Sequence, residues 1–172
     1  RKNLLLRDLD ELVNQQLAKM LFANPQRIDY YDRYQEIIDA YNAEQNRATI
    51  EKTFMDLMEL ASSLDTEQQR YVREGFSSDE ELSVYDLLFS ENLTKQEIET
   101  IKKVSVDLLT KIKQQIAKLD HWTDKQETKA IVDNLIRKTL WQELPNSYDV
   151  SDIQTYQKKI YEYVYMRYPE VA

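Results

Sequence analysis

The residues best suited to metal-dependent chemistry are Asp107, Glu127 and Lys129, which superficially match the D…E-x-K pattern of many nucleases. That chemistry requires the Glu and the Lys on one face of a strand, converging with the Asp on a metal ion and an attacking water. The surrounding apolar periodicity is helical, and residues two apart on a helix point about 200° away from each other. We therefore interpret Glu127 and Lys129 as solvated charges in a first helical turn.

A second candidate for metal chemistry is a cluster of carboxylates, made up of Asp79, Glu80, Glu81 and Asp86. Di-metal sites in helical bundles use Glu-x-x-His pairs, and the single histidine, His121, has no Glu three residues before it. Acidic residues at the start of a helix are also favoured by the helix dipole. We predict that this chain contributes no metal ligand and no catalytic residue.

Composition excludes several other classes of site. The chain has no Cys and one His, which rules out thiolate chemistry and makes a triad of nucleophile, base and orienting residue improbable. A Gly-rich phosphate loop is excluded because Gly75 is the single glycine. We therefore predict no cofactor in this chain. No apolar run approaches the roughly 18 residues of a membrane-spanning helix, and no signal-peptide pattern opens the sequence.

A third candidate is a set of basic and aromatic residues that could contact a protein partner or a nucleic acid. Its members are Lys118, Trp122, Lys125, Lys129, Arg137, Lys138 and Trp141. A structural alternative stays open, in which Trp122 staples the start of its helix, Trp141 closes the far end and the lysines are simply solvated.

The distribution of charge limits where DNA could bind. The net charge is −8; residues 1–94 hold 10 Lys and Arg against 19 Asp and Glu, whereas residues 95–138 hold 10 against 7. Because an acidic surface binds phosphate backbones poorly, any contact with DNA is predicted between residues 95 and 138.

The element that must position these residues is a long amphipathic helix over residues 94–119. Its apolar stripe is formed by Ile98, Ile101, Leu108, Leu109, Ile112, Ile116 and Leu119. Thr94 and Glu97 form a capping box at its start. Because a helix of about 40 Å with such a stripe must be buried against several others, we predict that it is the centre of a bundle.

Apolar periodicity and breaking signals predict seven further helices. They cover approximately residues 1–22, 26–46, 49–64, 66–75, 78–89, 124–143 and 152–168. Four of these are predicted to open at capping boxes, which pair Thr66 with Gln69, Ser77 with Glu80, Thr123 with Gln126, and Ser151 with Gln154. The predicted fold is all-α, a single irregular bundle of about seven to eight helices around the long central helix.

Three details of these helices are specific enough to test. The inward residues of the first helix are expected to be Leu5, Leu9, Leu12, Val13, Gln16 and Met20. Its apolar surface is widened by Leu4, Leu6 and Leu17. We therefore expect this helix to be buried on two sides or against another domain. Ala130, Ile131, Leu135, Ile136 and Leu140 are expected to form the inner face of the helix over residues 124–143. Tyr161, Tyr163 and Tyr165 alternate with a strand period, but a lone strand would have no partner, so helix is preferred.

Three segments resemble the R subunit of type I restriction enzymes. Residues 74–77 (EGFS) and 80–88 (EELSVYDLL) are similar to the family signature EGLS…EELAFYDAL, with Phe76 replacing the usual Leu. Trp122 and Thr123 leading into residues 130–138 resemble a second family helix, and residues 36–57 resemble a third segment. The resemblance covers essentially the whole chain in the family's order.

The resemblance implies a function that could not be inferred from the chemistry of the residues alone. The R subunit is an ATP-driven DNA translocase and endonuclease, whose nuclease site and ATP and Mg sites belong to domains upstream of this region. Its C-terminal helical domain is associated with docking the motor onto the methyltransferase core. We therefore expect residues 1–172 to be a single helical docking domain of a larger protein, without catalysis of its own, and Arg1 in place of an initiator Met fits that expectation.

The expected partners are the methyltransferase and specificity subunits, in the cytoplasm of a bacterium or archaeon. The absence of Cys fits a reducing compartment. The alternatives are that the same domain contacts and guides DNA, or that the chain is an unrelated intracellular helical scaffold. Neither alternative requires a cofactor or a membrane.

Overall fold

The computed structural model describes residues 2–170, and within them it contains eight α-helices, two short 3-10 helices and no strand. The helices are α1 (Lys2–Ala23), α2 (Ile28–Ala43), α3 (Arg47–Gln68), α4 (Arg70–Arg73), α5 (Asp79–Leu88), α6 (Lys95–Ala117), α7 (Gln126–Glu143) and α8 (Val150–Arg167), and the 3-10 helices are Pro25–Arg27 and Trp122–Asp124. The predicted all-α fold is confirmed. None of the described helices is both long and apolar enough to cross a bilayer.

The chain divides into two compact units, Arg1–Glu80 and Glu81–Ala172, which we describe one at a time. The single domain over residues 1–172 stays a prediction. The first unit is built on α1, α2 and α3, with α3 packed against both of the others. Its core is formed by Leu6, Val13, Leu17, Met20, Tyr34, Leu57, Leu60 and Leu64.

The buried face of α1 is rotated from the predicted one. Leu5 and Leu12, which were expected to point inward, are exposed, whereas Leu6 and Leu17 are buried. Because leucines surround much of this helix, its period alone does not select one face. The packing of α2 and α3 on the side of Val13 makes that selection.

The predicted capping box at Thr66 is wrong, because α3 continues to Gln68. The Thr66 hydroxyl donates instead to the carbonyl of Ser62, four residues earlier in the same helix. Gly75, the last residue of the helix predicted over residues 66–75, has a left-handed conformation with φ of +85°. The N–H of Gly75 donates to Val72 O and that of Phe76 to Tyr71 O, which is the Schellman pattern that ends α4.

The second unit contains α6, α7 and α8, and α7 is the helix that packs against both of the others. The predicted stripe of α6 is buried at Ile101, Leu108, Leu109, Ile112 and Ile116 and half-buried at its two ends. The capping box is confirmed: Glu97 N–H donates to Thr94 Oγ1 at 3.1 Å, and Thr94 N–H donates to Glu97 Oε1 at 3.0 Å. At 23 residues, α6 is the longest of the described helices.

Two predicted helix starts in this unit are wrong. Residues 122–124 form a 3-10 turn, and α7 begins at Gln126 with Lys125 at its N-cap and no side-chain cap. The cap of α8 is Asp149, whose Oδ1 accepts from Asp152 N–H at 2.8 Å, rather than Ser151. The prediction that the three alternating tyrosines lie in a helix is confirmed by α8.

The end of α5 also differs from the prediction. The predicted helix included Phe89, whereas α5 ends at Leu88 and Phe89 is exposed. The carbonyl of Leu88 accepts a hydrogen bond from the hydroxyl of Tyr148, at 2.5 Å. The pKa of Tyr148 is raised mainly by burial and further by nearby negative groups. Its hydroxyl therefore stays protonated and acts as a donor.

Candidate functional site

Trp122, one of the predicted contact residues, is fully buried. Its indole Nε1–H donates to the carbonyl of Tyr168 at 2.7 Å, and its ring meets Tyr161 and Tyr165 edge to face, with centroids 6.0 and 5.8 Å away. Trp122 therefore joins the turn before α7 to α8. It is not available to a partner, which corrects its place among the contact residues and agrees with the structural alternative.

Arg137, Lys138 and Trp141, in contrast, are exposed together on α7. Trp141 follows Arg137 by four residues and Lys138 by three, so the three side chains are neighbours on one side of the helix. Trp141 is 47% exposed, which is a large apolar surface for a helix end. The structure thus brings three of the seven predicted residues into one patch.

The inner face of α7 differs from the predicted one, and the difference enlarges this patch. The buried residues are Val132, Ile136, Thr139 and Leu140. Ala130 and Ile131, which were expected to point inward, are exposed. We define the α7 face as the exposed residues Ala130, Ile131, Asn134, Arg137, Lys138 and Trp141.

The remaining predicted lysines lie outside the α7 face. Lys118 follows α6 and Lys125 lies at the N-cap position of α7, and both are exposed. The ammonium group of Lys129 lies 6.0 Å from the ring centroid of Tyr165, at the outer limit of a cation–π contact. These three are not brought together with Trp141.

Several other cations between residues 95 and 138 are engaged within the second unit. Lys102 lies over Tyr85 at 5.9 Å and Lys113 over Tyr168 at 5.5 Å. These ammonium groups keep their charge, but they would have to leave aromatic rings of their own unit in order to bind a phosphate group.

Lys111 bridges two carboxylates. Its Nζ lies 2.9 Å from Asp107 Oδ2 and 3.0 Å from Glu143 Oε2. Hydrogen bonds with Asp107 and Glu143 raise the pKa of Lys111, while burial and the hydrogen bond with Asp107 raise the pKa of Glu143. Asp107, considered above as a nuclease carboxylate, therefore joins α6 to the last turn of α7.

The other residues considered for metal binding are placed as follows. Glu127 and Lys129 lie two residues apart on α7, the helical arrangement that was expected. Asp79 accepts two hydrogen bonds from Arg27. Across residues 2–170, no group of three or more His, Asp or Glu side chains is arranged to hold a metal ion.

The first unit contains a buried ionic cluster that the sequence analysis missed. Arg27, 3% exposed, donates from Nε to Glu67 Oε2 at 2.9 Å and from Nη2 and Nη1 to Asp79 at 2.6 and 3.0 Å. Arg70 Nε donates to Glu67 Oε1 at 2.9 Å. The signal in the sequence was Glu67 itself, which continues the buried row of Leu57, Leu60 and Leu64 on α3.

The pKa values in this cluster follow from pairing rather than from burial alone. Burial acts to raise the pKa of Glu67, but the hydrogen bonds and charges of Arg70 and Arg27 outweigh it and hold the pKa below its ordinary value. Burial likewise acts to lower the pKa of Arg27, and the carboxylates of Asp79 and Glu67 reverse that effect. Glu67 and Arg27 are therefore both charged at neutral pH.

The family model described as "Type I restriction enzyme HindI endonuclease subunit-like, C-terminal" matches residues 1–168 of the chain. The chain belongs to this family. It is thus a C-terminal domain of a type I restriction enzyme R subunit, as the resemblance predicted. The searches of curated proteins and of solved structures give no significant match.

The residues that carried the resemblance to the R subunit have structural roles in this domain. Gly75 and Phe76 form the Schellman turn after α4, and Phe76 is buried. Asp79, which lies between the two matching segments 74–77 and 80–88, is the carboxylate that binds Arg27. Residues 75 and 76 of the signature therefore form the turn that ends α4.

Proposed function

We propose that this C-terminal domain docks the R subunit onto the methyltransferase core of the restriction–modification complex, and that the α7 face makes the contact. The observation that supports the proposal is the half-exposed Trp141 beside Arg137 and Lys138. Trp and Arg are the residue types most enriched among those that dominate the energy of protein interfaces. They lie here on a helix, which presents them in one fixed geometry.

The rigidity of α7 supports the same role. Val132, Ile136 and Leu140 are completely buried along its inner side, and Trp122 fixes the turn before it. A side chain carried on such a helix loses little additional freedom when a partner binds, so more of its contact energy contributes to affinity. The chemistry of the face fits a partner that offers an apolar recess flanked by carboxylates.

The proposed partners are the methyltransferase and specificity subunits of the same system, in the cytoplasm. On this proposal the domain acts without a cofactor, and ATP and Mg are used by other parts of the full-length R subunit. Binding to the core should therefore persist without ATP. The endonuclease activity of the complex depends on this domain only through assembly.

A direct role in guiding DNA is less well supported. Lys102, Lys111 and Lys113 are engaged with side chains of their own unit, and the net charge of the chain is −8. Binding to phosphate backbones depends on free cations and weakens steeply as salt rises. Duplex binding by the chain with a steep dependence on salt would support the DNA role in place of docking.

The proposal can be tested by titrating the full-length R subunit with the methyltransferase–specificity complex. We expect Trp141→Ala to weaken binding about 30-fold, since loss of a dominant interface residue costs about 2 kcal/mol or more. Arg137→Glu with Lys138→Glu should weaken it at least about tenfold, by placing like charges against the partner's carboxylates.

The matched control is Lys103→Glu with Lys158→Glu, which makes the same change of charge at two exposed lysines outside the α7 face. The control should bind like the wild type. Unchanged binding of both the Trp141 variant and the double variant at positions 137 and 138 would reject the α7 face as the contact.

A further inference from the structure

A second apolar surface lies in the first unit, between α1 and α3. Leu5, Ile50, Phe54 and Met55 line a groove of about 340 Å³, with Glu51 at its edge. We call it the α1–α3 groove. A volume of this size is enough to accept several side chains of a partner.

Exposed apolar residues extend the groove along both helices. Leu12, seven residues after Leu5, is 64% exposed, and Met55 and Met58 are 70% and 53% exposed. Gln16 Nε2 donates to Asp65 Oδ1 at 3.2 Å, so α1 and α3 run side by side past these residues. An apolar strip of this length on a chain with mean hydropathy of −0.68 indicates an interaction surface.

The charges beside the strip are mainly negative. Asp8 lies between Leu5 and Leu12 on α1, and Glu59 follows Met55 by one turn on α3. Glu51 is a third carboxylate, at the groove itself. Residues 1–80 hold 10 Lys and Arg against 16 Asp and Glu, so the whole unit is acidic.

Three basic residues of α1 and α3 near the strip are compensated within their own helices, and Lys19, two turns after Leu12 on α1, is exposed. Arg7 pairs with Glu11 at 3.7 Å. Arg47 pairs with Glu51 at 3.3 Å. Lys52 pairs with Asp56 at 2.6 Å. The charges of these three pairs cancel, that of Glu51 included, so the negative field comes from Asp8, Glu59 and the excess of carboxylates over residues 1–80, and it favours a cationic ligand.

We infer that the α1–α3 groove binds an amphipathic helix of a partner protein, with its apolar face in the groove and basic residues on its flanks. Two helices packed side by side leave a furrow that a third helix can enter, and methionine side chains adapt to the shape of what binds. A second copy of this chain would bring two acidic surfaces together, so it is the less favoured occupant. The inference does not depend on the α7 face, which lies in the other unit.

The probe is a fluorescent, end-capped helical peptide of about 18 residues, long enough to be helical when bound, with leucines at helical spacing and lysines on both flanks. It is titrated into the whole chain, alongside a peptide in which glutamates replace the lysines. We expect the lysine peptide to bind at least about tenfold more tightly than the glutamate peptide, because the groove is flanked by carboxylates.

Leu12→Gln with Met55→Gln should weaken binding of the lysine peptide at least about tenfold, because it removes two exposed apolar side chains from the strip. Met166→Gln with Val150→Gln is the matched control, since both residues are exposed and apolar on α8. This control should bind like the wild type, and circular dichroism should give equal helix content in all three proteins.

Four results would overturn the inference. The lysine peptide could fail to bind, or the glutamate peptide could bind as well. Binding could be the same in the Leu12 and Met55 variant, which would place it elsewhere. Sedimentation could give a dimer of the wild-type chain that this variant abolishes, which would assign the groove to a second copy. None of these outcomes involves the methyltransferase, so they are distinct from failure of the proposed docking.

Discussion

The buried ionic cluster of the first unit makes a strong prediction for the stability of Glu67→Gln. The substitution keeps the shape of the side chain and removes its charge. Arg27 then loses one of its two carboxylate partners while remaining 3% exposed, and Arg70 loses the negative charge of Glu67 to which it donates. The cost is that of leaving a buried positive charge incompletely paired.

The magnitude follows from the contacts that remain. Breaking a buried ion pair by removing one partner costs about 3–5 kcal/mol. Arg27 keeps its two hydrogen bonds with Asp79, at 2.6 and 3.0 Å, so we expect the lower end, about 3 kcal/mol. In a protein of this size that corresponds to a decrease in Tm of roughly 6–12 °C.

The assay is urea unfolding at neutral pH, followed by far-UV circular dichroism. The control is Glu59→Gln, which removes the same charge from an exposed position on α3 and should change the free energy of unfolding by less than about 0.5 kcal/mol. If Glu67→Gln also falls within about 0.5 kcal/mol of the wild type, the cluster does not stabilise the fold and the reasoning is refuted.

The difference in the free energy of unfolding between the wild type and Glu67→Gln should depend on pH in a defined direction. The pKa of Glu67 is lower in the folded state than in the unfolded state, so its ionised form stabilises the fold above the unfolded pKa of about 4.3. That contribution is lost as pH falls through the folded pKa. The difference in stability between the wild type and Glu67→Gln should therefore shrink between about pH 5 and pH 3. A constant difference over this range would contradict the charge-based explanation.

Three further stability predictions follow from single contacts. Trp122→Ala should lower the free energy of unfolding by about 3–5 kcal/mol, measured by urea unfolding, because the side chain is fully buried. A loss below about 1 kcal/mol would contradict the role of Trp122 in joining the turn before α7 to α8. Gly75→Ala should cost about 1–2 kcal/mol from its φ of +85° alone, since an added Cβ meets no atom within 4 Å, and an unchanged Tm would contradict this. Tyr148→Phe removes the hydroxyl that donates to Leu88 and should cost about 1–3 kcal/mol by urea unfolding, whereas wild-type stability would show that this bond contributes nothing.

The sequence predicted the helices best where one local signal defined each boundary. Thr94 and Glu97 begin α6 as expected, because a polar turn precedes a single apolar stripe there. The same four-residue pattern at Thr66 lies within a helix whose buried row continues to Glu67, and its hydroxyl bonds backwards to Ser62. The pattern alone does not distinguish the start of a helix from its interior.

The candidate site depended on contacts distant in sequence. Trp122 and Trp141 are the same residue type among similar basic neighbours, but one is buried and the other is half-exposed. The difference comes from Tyr161 and Tyr165, which α8 brings against Trp122 from about 40 residues downstream. Local periodicity contains no information about that packing. The family could be predicted because its motifs are spread over the whole chain. The motif residues described above nevertheless have structural roles rather than a role in the candidate site.

The most direct test of the docking proposal is a competition between this chain and the full-length R subunit. The isolated 172-residue chain is added in excess to the R subunit, the methyltransferase–specificity complex, DNA and ATP. We predict that DNA cleavage falls as the chain occupies the core, that methylation is unchanged, and that a chain carrying Arg137→Glu and Lys138→Glu does not inhibit. Undiminished cleavage at a large excess of folded wild-type chain would contradict the proposal that this domain is the docking element.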